Sequence, residues 1–96
     1  MKKKQEIFEK NDKVVTRKIG GEVVLVPINQ TGLEVQKIYR LNEVGAFIWE
    51  KLKTPQSRES LLNFLIENFD GDPEVIKNDV NHFLEDLKAL EFIFIS

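Results

Sequence analysis

The stretch from Tyr39 to Trp49, YRLNEVGAFIW, narrows what this chain can fold into more than any other. It asks a strand to pass directly into a helix. Leu41-Asn42-Glu43 is the joint. Asn42 has the short polar side chain that accepts a hydrogen bond from a free backbone N–H at a helix start, so it is the expected N-cap. Leu41, one residue earlier, is the apolar residue expected to pack on the fourth helical residue, Ala46. Phe47, Ile48 and Trp49 then supply an apolar face, with Trp49 expected in the core. Lys51 and Lys53 suit the negative end of the helix dipole. This helix is expected from about Glu43 to Lys51.

The residues before the joint read as strands. Val14 to Ile19 is rich in β-branched side chains. Gly20-Gly21 supplies the positive φ angles of a two-residue hairpin turn. Glu22 to Val26 is the second strand, ended by Pro27. Asn29-Gln30-Thr31-Gly32 is turn-rich, and Glu34 to Leu41 is the third strand. Alternation puts Val35, Lys37, Tyr39 and Leu41 on one face and Gln36, Ile38 and Arg40 on the other. The first face is the expected core side.

Helices follow the joint. Ser57 or Thr54 begins the second, which carries Leu61, Leu62, Leu65, Ile66 and Phe69 at helical spacing. Gly71 is expected just past its end. Asp72-Pro73-Glu74 combines a cap, a first-turn proline and an acid, and so starts the third helix. Ile76, Val80, Phe83, Leu84, Leu87 and Leu90 form its apolar stripe. Phe92 to Ile95 either ends this helix or forms a short strand on the core. Residues 1–12 are polar and are expected to be a flexible N-terminal segment, with Ile7-Phe8 as its candidate contact to the rest, leaving 13–96 as one domain. The fold class is therefore α+β, a three-stranded antiparallel sheet followed by three helices in a winged-helix-like arrangement.

Composition removes several functions. Ninety-six residues with 42% hydrophobic content allow one domain with a core. The absence of cysteine excludes a disulfide framework, a thiolate metal site and a cysteine nucleophile, and is compatible with a cytoplasmic location. No apolar run reaches the length of a transmembrane helix, and the basic start, Met1 to Lys4, precedes no signal-peptide core. Residues 1–58 hold 12 Lys and Arg against 7 Asp and Glu, while residues 59–96 hold 2 against 9, so the second half is acidic.

The order of elements around Tyr-x-Leu-Asn and Ile48-Trp49 resembles the PqqD-like family. Thr54 ahead of the second helix, Leu61, Leu62 and Leu65 within it, and Asp79-Val80 with Phe83-Leu84-x-x-Leu87 in the third continue the likeness over roughly residues 14 to 93. The family often has Asp-Gly after the first helix, where this chain has Lys53-Thr54-Pro55-Gln56. Members are small peptide-binding modules, also called RiPP recognition elements. They hold the leader of a ribosomal precursor peptide and present it to a modifying enzyme, often a radical SAM protein. The resemblance implies a leader bound along the third strand, in a groove against the last helix. It also implies a place in making PQQ or another such product, with no cofactor or metal held by this chain.

Carried onto these residues, the expected peptide-binding set is Val35, Gln36, Lys37, Ile38, Tyr39 and Arg40 on the strand, with Asp79, His82, Phe83 and Asp86 on the helix. Ile38 is a candidate floor residue or an ordinary packing residue. Phe83 and Leu87 either line the groove or fill the core. Asp79, His82 and Asp86 share one helical side. The two acids either meet a basic leader residue or form a solvated face. Lys37 and Arg40 stand in the same relation to leader carboxylates.

The rival reading is a winged-helix nucleic-acid binder or transcriptional regulator. Binding DNA requires Lys and Arg against phosphates. The third helix and its end carry Glu74, Asp79, Glu85, Asp86 and Glu91 against Lys77 and Lys88, which argues against a recognition helix. Catalysis has little to work with: one histidine, no glycine-rich phosphate loop, and no identifiable base for Ser57 or Ser60. His82 with Asp79 and Asp86 is too sparse a set for a metal centre. Exposed strand edges leave a monomer or a strand-exchanged dimer open.

Overall fold

The computed structural model describes residues 5–28 and 38–96. In chain order the elements are β1 (Ile7–Lys10), β2 (Val14–Ile19), β3 (Glu22–Pro27), β4 (Tyr39–Leu41), α1 (Glu43–Lys51), β5 (Gln56–Ser57), α2 (Arg58–Asn68), α3 (Pro73–Ala89) and β6 (Ile93–Ile95). The α+β architecture is as expected, with an antiparallel sheet ordered β2-β3-β4 and three helices. The winged-helix likeness is loose, because a second small sheet ordered β5-β1-β6 joins the chain's two ends.

The β2–β3 hairpin runs in register from Val14 opposite Pro27 to Ile19 opposite Glu22. Gly20 and Gly21 close it with φ of 59° and 84°. Two successive positive φ angles make the turn whose twist matches that of the flanking strands. β4 pairs with β3 from Val23 opposite Leu41 to Leu25 opposite Tyr39. Of the strand expected over 34–41, residues 39–41 are observed as strand. Val35, Gln36 and Lys37 lie outside the described residues.

Ile7–Lys10 depart from the expected loose segment. They form the central strand of the second sheet, with Phe8 opposite Ile95 on one side and Gln56 on the other. Phe8 is only 1% exposed. Burying one large aromatic side chain and pairing both backbone edges is enough to order a segment whose neighbours are polar. Of the two readings of Phe92 to Ile95, the strand is the observed one.

Local cap chemistry fixes the helix starts. The Asn42 side chain accepts from Gly45 N–H at 2.8 Å. Ser57, not Thr54, caps α2, its hydroxyl accepting from Ser60 N–H at 3.1 Å. Asp72 accepts from Glu74 N–H at 2.9 Å, with Pro73 opening α3. Gly71 stands farther from α2 than expected: Phe69 is the C-cap, and Gly71 follows two residues on, at φ 146°. Where the family often has Asp-Gly, Gln56 ties the turn instead. Its amide nitrogen donates to the Lys51 carbonyl at 3.2 Å and to the Thr54 hydroxyl at 3.0 Å.

One core unites these parts. It includes Phe8, Leu25, Ile48, Trp49, Leu52, Leu61, Leu65, Val80, Leu84, Leu87, Phe92 and Ile93. Every α-helix and both sheets contribute, so α3 is held against β4 by burial on several sides. Its last turn ends on Glu91, a non-glycine residue at φ 61°. Glu91 N–H donates to the Lys88 carbonyl at 3.0 Å and Phe92 N–H to the Leu87 carbonyl at 2.9 Å. This is a Schellman cap, in which the residue after the cap turns left-handed so that orphan carbonyls are satisfied.

Candidate functional site

The strand-to-helix joint and α3 form the two walls of a groove of about 620 Å³. Tyr39, Arg40 and Leu41 come from β4, and Val23 from the neighbouring β3. Val44, Gly45 and Ile48 come from α1, and Asp79, His82, Phe83 and Asp86 from α3. β4 has β3 on one side and, among the described residues, no strand on the other.

Two contacts made by Tyr39 tie β4 to α3. Its ring meets Phe83 edge-on, with centroids 5.8 Å apart at 69°. Its hydroxyl donates to Asp86 Oδ2 at 2.9 Å. Burial, then that hydrogen bond, then the Asp86 charge disfavour the phenolate, and together they push the Tyr39 pKa up to about 12. Phe83 belongs to both readings offered for it: 8% exposed, it is part of the core and also lines the groove.

Gly45 sets how closely the walls approach. A Cβ there would sit 3.0 Å from Phe83 Cε1, 3.2 Å from Asn42 Oδ1 and 3.4 Å from Leu41 Cδ2. The first two are tighter than ordinary packing, so any larger residue would push α1 away from Phe83 or move the ring. Leu41 thus packs over Gly45 at the start of α1.

The groove is acidic overall. Arg40 Nε is paired with Glu22 Oε2 at 3.1 Å, both side chains being largely exposed. Such an exposed pair adds little stability. Asp86 is engaged by Tyr39. Asp79 and His82 are exposed and have no hydrogen-bond or ion-pair partner among the described residues.

Tyr39, Arg40, Asp79, His82, Phe83 and Asp86 therefore all line this one groove. Ile38 does not: it is 47% exposed and lies outside the groove lining. Sequence reasoning missed Leu41, Val44, Gly45 and Ile48 as lining residues. Gly45 carried a usable signal, because a glycine inside a helical pattern costs roughly 1 kcal/mol against alanine and so points to a close approach. Val23 carried none, because it reaches the groove only through strand pairing.

Among solved structures, TbiB1 in complex with the TbiA(beta) leader peptide resembles 88% of this chain and 93% of its own, at 28% identity and a TM-score of 0.68. Lasso peptide synthetase B1 complexed with the leader peptide matches 91% of this chain and 96% of its own, with a TM-score of 0.67. At 16% identity that second likeness is one of fold alone. A comparison with curated proteins finds no match. Residues 22–93, from the start of β3 into β6, match PqqD, coenzyme PQQ synthesis protein D. With most of its length inside that match, the chain belongs to the PqqD family.

Proposed function

We propose that this chain captures the leader of a ribosomally made precursor peptide by strand addition at β4 and presents the attached core peptide to a modifying enzyme. The observation that carries the reading is the outer edge of β4 running beside a formed groove, in a PqqD-family chain similar to a leader-peptide complex. An extended peptide laid along such an edge gains main-chain hydrogen bonds, while alternate side chains enter the groove. The module itself performs no chemistry. Holding both leader and enzyme raises the effective concentration of the core at the active site. A radical SAM protein is the partner class that the family resemblance implies. The same reading places the chain in the cytoplasm, where ribosomal precursors are made. Among the described residues no helix is long and apolar enough to cross a membrane.

The test is an amide NMR titration of the labelled chain with leader peptides encoded beside its own gene, and with duplex DNA as control. Saturable shifts at residues 38–41 and along the groove side of α3, from one leader and not from DNA, are expected. Lys37→Pro and Ile38→Pro complete the test. Each substitution removes one backbone donor just ahead of β4, and the variant whose lost donor faces the added peptide is the one that tests the pairing. That variant is expected to bind roughly three- to tenfold more weakly, the worth of one net hydrogen bond. Unchanged affinity in both, with folded spectra, would overturn strand addition at this edge.

A further inference from the structure

The chemistry of the groove is uneven, and the unevenness selects among leaders. Resting on the leader-binding reading above, we infer that the leader taken here presents an apolar side chain to Phe83 and, two residues away on the same face of the added strand, a lysine or arginine to Asp79.

The argument begins with direction. Tyr39 contacts Phe83 and Asp86, while Leu41 and Asn42 lie beside Gly45, which abuts Phe83. β4 therefore runs along α3 from Asp86 to Phe83, and Asp79 lies one helical turn farther along the same wall of the groove. A strand added outside β4 follows the same face. Spacing comes next. Asp79 and Phe83 are four residues apart on α3, a rise of about 6 Å on one helical face. Same-face side chains of a strand repeat every two residues, at about 6.6 to 6.8 Å. The two periods agree to within the reach of a flexible side chain. Asp86 lies only about 4.5 Å along the helix from Phe83, a poorer match. One of its oxygens is already taken by the Tyr39 hydroxyl.

Charge completes the selection. Glu22, Asp79 and Asp86 line the groove against Arg40 as the lone Lys or Arg among its lining residues, and Arg40 is tied to Glu22. A leader carboxylate facing Asp79 would meet like charge, while Arg40, the lone guanidinium in the lining, already has Glu22 as a partner. A basic side chain there gains an ion pair at a rim that the added strand partly shields from water. The floor under the neighbouring position is the Phe83 ring with Leu41 and Val44, which rewards an apolar group.

A displayed library of randomised peptides, selected in parallel on the full chain and on its Asp79→Lys variant, tests this. On the parent chain, enriched sequences are expected to share an apolar residue with Lys or Arg two positions away. On Asp79→Lys the basic preference is expected to give way to Asp or Glu at the same spacing. Asp79→Asn should weaken a selected basic peptide by roughly three- to tenfold, between the worth of an exposed and a partly desolvated pair. Asp79 is exposed on the helix surface, and circular dichroism checks that both variants stay folded. Enriched peptides that shift the amides of residues 38–41 yet show no basic preference, or the same preference on Asp79→Lys, would overturn the charge inference and leave strand addition standing. Enrichment of no peptide at all would overturn both.

Discussion

Tyr39 is the residue on which the groove turns, and it offers its own readout because the chain has no other tyrosine. Its phenol should titrate near pH 12 rather than 10 when followed by phenolate absorbance. In Asp86→Asn the midpoint should fall but stay above the ordinary value, because burial is the largest cause and survives the change. The consequence for stability has a definite sign. The folded-state pKa lies above the unfolded one, so the protonated hydroxyl contributes stability in full below about pH 10. That contribution is lost as pH rises through about 12, and wild type should then lose its advantage over Tyr39→Phe. A midpoint at the unperturbed value would mean that in solution Tyr39 is neither buried nor bonded to Asp86. The sequence showed that this hydroxyl needed a partner. It did not show which one, since Asp86 lies 47 residues away and is brought near only by packing of α3 on the sheet.

At the level of elements, what was legible is what local chemistry decides. Asn42, Ser57 and Asp72 each satisfy an orphan N–H within three residues, and each was visible as a cap or an offered cap. Gly20-Gly21 likewise announced its hairpin. The end of α3 was illegible for a matching reason. Leu90-Glu91 contains no stop signal, and the turn is imposed by distant partners: Phe92 is buried, and the Asn11 side chain donates to the Glu91 carbonyl at 3.0 Å. Glu91 holds a left-handed conformation that costs an L-residue roughly 1–2 kcal/mol. Glu91→Gly should relieve that strain, offset in part by glycine's greater freedom when unfolded, for a net gain of about 0.5–1 kcal/mol. Urea unfolding should show a higher midpoint with an unchanged slope. A lower midpoint would mean that the turn is not strained as its φ implies.

For the whole molecule, the second sheet matters most, because it closes the chain on itself. The family match begins at residue 22, so β1 lies ahead of it, yet β1 sits between β5 and β6 and ties residues 7–10 to residues 93–95. Ile7-Phe8 stood out locally as a contact, but the strand pairing could not be read: Gln5, Glu6, Glu9 and Lys10 flank the pair, and only distant partners make Phe8 core. Two phenylalanines of this sheet separate the possibilities. Phe8 is 1% exposed and Phe94, one of β6's residues, is 49% exposed. If β1 is part of the cooperative fold, Phe8→Ala should cost about 3–5 kcal/mol, as for other buried aromatics. Against a total of roughly 5–15 kcal/mol expected of a domain, that would leave the chain marginal. Phe94→Ala should cost less than about 1 kcal/mol, since half its ring already faces water. The β4–α3 groove rests on the same core, so a Phe8→Ala chain near its unfolding midpoint should also bind leader more weakly, in proportion to the folded fraction. Equal and small effects of the two substitutions would mean that β1 frays from the domain and that the groove stands without it.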